Sequence, residues 1–135
     1  MKVLVDTNVV LDVLLDRFPF RDAASRILAE VERGSLVGVL GATTLTTIHY
    51  LVEKASGEEQ ARVAVRDLVS LFQIAPVDRE VLERAVNSPI TDFEDAVLHE
   101  AGVLAKVDAV VTRDPSGFHA GTLPVLSPQE LRATF

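Results

Sequence analysis

"MKVLVDTNVVLDVLL", Met1 to Leu15, sets a carboxylate and two small polar residues between two apolar runs. Met1–Val5 is short and rich in Val and Leu, which is how a strand covered on both faces reads. Leu11–Leu15 belongs to a second apolar segment, with helical spacing across Asn8–Leu15. Asp6 therefore stands at the exit of a buried strand, where a charge needs partners. Beyond Val3–Val5, four more runs read as strands: Leu36–Leu40, Phe72–Ile74, Ala109–Val111 and the weaker Leu123–Leu126.

Helical spacing fills the intervals. Arg21–Glu32 is stopped by Gly34, and a helix from Thr43 through "IHYLVEKASG" is closed by Gly57. Ser56-Gly57-Glu58-Glu59 has the spacing of a capping box and predicts a helix to about Leu71. Asp78 caps Arg79–Val86. Thr91-Asp92-Phe93-Glu94 predicts a further box, opening a helix that ends near Ala105. Ser127-Pro128-Gln129-Glu130 repeats the device with Pro at the first helical position. Strands alternating with helices give an α/β fold: a three-layer α/β/α sandwich around a mostly parallel, roughly five-stranded sheet. "DRFPFRD", Asp16–Asp22, is the most obvious surface loop. Its two aromatics predict a hydrophobic staple on the next helix, with a partner contact as the second reading.

The chain has 135 residues, enough for one domain over 1–135 that buries roughly 70% of its unfolded surface. It has no cysteine, which excludes disulfides and thiolate metal sites. The net charge of −7 argues against a broad basic face that coats nucleic acid, though not against local contact with a phosphodiester through a metal. No apolar run is long enough to cross a bilayer and no signal peptide is legible, so a cytoplasmic protein without membrane contact is expected.

In an open α/β sheet, ligands sit beyond the carboxyl ends of the strands. Asp6 lies there, and "DAVVTRD" brings Asp114 to the same rim if the two strands are neighbours. In "TDFEDAVLHEAG", about 100° per residue puts Asp92, Asp95, Ala96 and His99 on one face, and Phe93, Val97, Ala101 and Leu104 on the apolar face beside it. First-turn acids also complement the helix dipole, and Glu94 fits that simpler role. Four carboxylates at one rim repel unless a cation joins them, and Mg2+ or Mn2+ suits an all-oxygen donor set. Arg113 and His99 are the candidates for a phosphate contact. The competing readings are a solvated loop residue for Arg113 and a packing or surface residue for His99.

Three stretches together carry a resemblance. "VLVDTNVVLDVLL", "DFEDAVLHEAG" and "AVVTRDPSGF" resemble the opening DTN strand, the central acidic helix and the late Thr-x-Asp strand of the PIN-domain family, the fold of VapC-like ribonuclease toxins. The resemblance spans nearly the whole chain. It implies a metal-dependent endoribonuclease acting on RNA, a toxin paired with a cognate antitoxin, and a homodimer. By position, Asp6, Asp95 and Asp114 resemble the family's conserved acids, and Asp92 the extra acid of a D-x-x-D subgroup. Thr7 and Asn8 would hold the loop at the site, and Thr112 would pack or hydrogen-bond beside Asp114. Two positions depart from the pattern. Thr47 stands where many members carry a glutamate, with Glu53 on another face, and Gly117 replaces an acid before the aromatic Phe118. These departures sustain a second reading, a binding module with a weakened site. An aspartate-based phosphatase is a third, poorly supported because Asp6-Thr7-Asn8 lacks a second acid.

Overall fold

The computed structural model describes residues 1–135. Five strands form one sheet: β1 (Lys2–Val5), β2 (Val37–Gly41), β3 (Gln73–Ala75), β4 (Ala109–Val111) and β5 (Val125–Leu126). Their order is β3-β2-β1-β4-β5, and every pairing is parallel. The sheet is thus wholly rather than mostly parallel. β5 is shorter than the run Leu123–Leu126 predicts, because Pro124 has no amide hydrogen and offers only its carbonyl, to the Val110 amide.

β1 lies at the centre, and its pleat divides the molecule. Val3 and Val5 point into one core and Leu4 into the other, all fully buried. Each such side chain contributes about 1.5–3 kcal/mol through burial. The first core packs against α1 (Thr7–Leu14), α2 (Arg21–Arg33), α3 (Ala42–Ser56), α4 (Glu58–Leu71) and α7 (Pro128–Arg132). The second packs against α5 (Arg79–Val86) and α6 (Phe93–Leu104). The three layers are those expected from the sequence.

Helix ends show where local reading holds. Ser127 and Glu130 form both halves of a capping box, and the Asp78 carboxylate accepts from Val81 N at 3.1 Å. Two other predicted boxes do not form. Ser56 is the last residue of α3, so it cannot cap the next helix, and Gly57 makes the turn with φ 94°. At Thr91 the cap passes to Asp92, whose Oδ1 accepts from Asp95 N at 3.0 Å. Asp92 is therefore the cap itself rather than a first-turn residue.

α6 sits tight on the sheet through Ala96, Ala101 and Gly102. A Cβ at Gly102 would stand 3.2 Å from Leu4 and from Val107. Phe93 and Leu104, assigned by periodicity to the apolar face, are instead exposed at the two ends of the helix. Phe18 is 80% exposed and does not act as a staple. Phe20 alone packs, under the Arg113 guanidinium at 4.1 Å. No helix is long and apolar enough to cross a membrane.

Candidate active site

The β1–β4 register, with Val5 opposite Val111, carries Asp6 to the side of Thr112. The Asp6 amide extends the ladder by donating to Val111 O at 2.9 Å. The Asp6 carboxylate caps α1, accepting from Thr7 N at 2.7 Å through Oδ1. Its Oδ2 accepts from the Thr112 hydroxyl at 2.8 Å. That hydroxyl in turn accepts from Asp114 N at 3.0 Å. Thr112, fully buried, is thus a bridge between two of the acids rather than a neighbour of one.

Asp114 opens a short 3-10 turn, Pro115–Gly117, and its Oδ1 accepts from the Ser116 hydroxyl at 2.9 Å. Across an open groove of about 490 Å³ stand Asp92 and Asp95 from the start of α6. Asp6 is buried at the end of β1, and burial is the largest influence raising its carboxyl above the ordinary value. Hydrogen bonds from Thr112 and Thr7 oppose this, while the charges of Asp114 and Asp92 add to it. Asp95 is pushed up to about 6, first by burial and then by the charges of Asp6, Asp92, Asp114 and Glu94. The four acids named from the sequence therefore feel one another's fields.

Gly117 belongs to this arrangement. A Cβ there would stand 2.6 Å from Asp95 Oδ2, so the space that an acidic side chain would need at position 117 is held by the Asp95 carboxylate.

Around the acids the polar residues divide. Asn8 Oδ1 accepts from Arg113 N at 3.3 Å, and Thr7 shares a hydrogen bond of 2.9 Å with the Thr44 hydroxyl. Both tie the DTN turn to its surroundings. Arg113 is not free to steer a phosphate: its guanidinium donates to both oxygens of Asp12, at 2.8 and 3.1 Å, while lying on Phe20. His99 is likewise withdrawn. It is 2% exposed, and its Nε2 accepts from Thr122 N and Leu123 N at 3.0 and 3.2 Å. The ring proton is thereby left on Nδ1, which donates to Glu100 at 2.5 Å. The helical face that predicted a rim position for His99 is covered by the loop leading to β5. Asp12 is the supporting residue that the sequence reading missed. It is 1% exposed, and the available signal was a lone acid amid Val9-Val10-Leu11 and Val13-Leu14.

A PIN domain family model matches residues 2–116. The chain belongs to the PIN-domain family. Several solved structures share the PIN fold. VapBC2 from Rickettsia felis, bound to a DNA fragment from its promoter, is 13% identical with a TM-score of 0.72, over 94% of this chain and 98% of that one. VapC20 of Mycobacterium tuberculosis, described as a sarcin–ricin loop cleaving toxin, is 16% identical with a TM-score of 0.72, over 90% and 96%. FitAcB from Neisseria gonorrhoeae is 22% identical with a TM-score of 0.71, over 94% and 98%. At such identities the likeness is one of fold. No curated protein matches the sequence.

PIN nucleases as a class use divalent ions, and the donors present in this PIN domain suit one. They are all oxygen, and the charged groups acting on Asp95 are all carboxylates. No three His, Asp or Glu side chains converge as a ready ligand cluster. An ion held there would keep water among its ligands.

Proposed function

We propose that this single PIN domain, residues 1–135, is a Mg2+- or Mn2+-dependent endoribonuclease and the toxin of a toxin–antitoxin pair. The observation that carries the proposal is the set of four carboxylates at the ends of β1 and β4 and the start of α6, with Asp95 held near 6 by burial and like charge. Asp6, Asp95 and Asp114 would hold the ion, and Asp92 would orient the attacking water. The bound ion would supply a more acidic water and offset charge on the phosphate. The residues' own part is positional. Thr112 fixes Asp6 and Asp114 relative to each other, Asp12 and Arg113 fasten the Asp114 turn to α1, and Gly117 leaves room for Asp95. The new P–O bond forms from water, the bond to the leaving ribose oxygen breaks, and the water's proton passes to a carboxylate or to solvent.

The test is metal-dependent cleavage of a panel of structured RNAs, with Asp6→Asn in parallel. Cleavage by the wild type that is lost in a folded mutant is the expected result. Equal cleavage by both proteins would end the proposal. Thr47 in place of the family's usual glutamate favours a second reading, a binding module with a weakened site. That reading predicts no dication binding in the millimolar range by calorimetry.

The phosphatase reading lacks a lysine at the rim, since Lys106 precedes β4 and so lies at its opposite end. A cognate antitoxin and a second copy of the chain are the proposed partners, in a cytoplasmic setting. Phe18 and the exposed Tyr50, Val63 and Val69 of the α3–α4 pair offer the apolar surface for such contacts.

A further inference from the structure

Beside the acidic groove is a second hollow, of about 280 Å³, which none of the four acids lines. Thr7, Thr43 and Thr47 line one side, and Leu82, Phe93 and Glu94 line the other. Its place is fixed by the acids' own chain neighbours. Thr7 follows Asp6, and Phe93 and Glu94 are the two residues between Asp92 and Asp95. Phe93 is 51% exposed, although helical periodicity assigns it to the core. The ring is therefore presented to the hollow and to solvent rather than used for packing.

The chemistry of the walls selects an occupant. No cationic side chain lines the hollow and Glu94 does, so a phosphate is repelled. Two of the hydroxyls already use their protons within the helix. Thr46 and Thr47 donate to Thr43 O at 2.9 and 3.3 Å, which leaves oxygen lone pairs free to accept. An exposed aromatic, hydroxyl acceptors and one carboxylate suit a flat heterocycle with amino hydrogens. Single-stranded RNA offers such a group when a base is splayed onto an aromatic side chain and read on its edge. A paired base in a duplex presents neither face.

We infer that this hollow is a subsite for one unpaired base bearing an exocyclic amino group, next to the scissile phosphate. Phe93 stacks on the base and Glu94 accepts from its amino group, as carboxylates do from cytosine. Threonine at position 47 keeps the hollow neutral on that side, where a glutamate would add a second charge. The inference rests on the ribonuclease reading.

The experiment uses an end-labelled single-stranded RNA pool, randomised over ten positions, and the same pool annealed to a complement pool, both with Mn2+. Wild-type protein is expected to prefer the single strands and to deplete uridine at one position flanking the cut. Phe93→Ala should raise KM about 10-fold, the loss falling on KM rather than kcat, as expected when one stacked base is released. Phe93→Tyr should restore KM, and Glu94→Met should abolish the depletion of uridine. Wild-type cleavage with an unchanged KM and base preference in Phe93→Ala would overturn the subsite and leave the nuclease standing. Absence of any Asp6-dependent cleavage would remove the nuclease and the subsite together.

Discussion

Asp95→Asn should stabilise the metal-free protein. The Asp95 carboxyl is displaced from 3.8 to about 6, first by burial and then by the neighbouring acids. The sign follows from proton binding. Between those two values the folded state holds a proton that the unfolded chain has released, so stability falls as pH rises through the window. The deficit is complete above about 6. The full displacement corresponds to about 3 kcal/mol. Asp95 is only half-buried, and solvent screening reduces this to about 1.5 kcal/mol. Asparagine also gives up about 0.5 kcal/mol of favourable interaction with the α6 N-terminus. A net gain of about 1 kcal/mol at pH 8 remains, equivalent to about 3–5 °C in Tm. Thermal unfolding in EDTA at pH 8 and pH 4 measures it: the gain should be present at pH 8 and nearly gone at pH 4. Saturating Mn2+ should reverse the order, because ion held at 100 times its Kd stabilises the wild type by about 2.7 kcal/mol. A mutant no more stable than wild type at pH 8 in EDTA would refute the claim that burial and the neighbouring acids together disfavour a charged Asp95.

Three other perturbations probe the supports. Arg113→Ala strips the bidentate partner from buried Asp12, leaving Arg17 at 3.8 Å, and should destabilise by about 2–3 kcal/mol in urea unfolding. Thr112→Val removes the hydroxyl that serves Asp6 and Asp114 N, at a loss of about 1–2 kcal/mol by the same measurement. Gly117→Ala sets a methyl against Asp95 Oδ2, and calorimetry should show dication affinity about 10-fold weaker with the thermal transition little changed.

The sheet was legible because its strands are short apolar runs separated by helical spacing, and both properties are local. Asp6 and Asp114 could be paired in advance because strand exits are few and the fold class puts ligands there. Asp92 was assigned to the correct helix but to the wrong position in it, since the choice between Thr91 and Asp92 as cap depends on the path of the preceding loop. For His99 the packing reading holds, and the phosphate contact considered for His99 and Arg113 meets one common obstacle. Each side chain is spoken for by a distant segment: His99 by the amides of Thr122 and Leu123, Arg113 by Asp12, 101 positions away. No periodicity on a residue's own helix or loop reveals such a partner. Gly117 looked like a deficit in the sequence, whereas in three dimensions it is a clearance for Asp95.

The central place of β1 has a consequence for the order of events during synthesis. Asp6 leaves the ribosome 106 positions ahead of Thr112, whose hydroxyl fixes it. β1 cannot receive its second neighbour, nor the rim its Asp114, until β4 has been made. Pairings so far apart in sequence form late, after loop-closure entropy has been overcome. A nascent chain thus carries its acids scattered until β4 and the residues after it have emerged. In a nuclease, that timing would spare the ribosome making it from a working active site until Asp114 is in place.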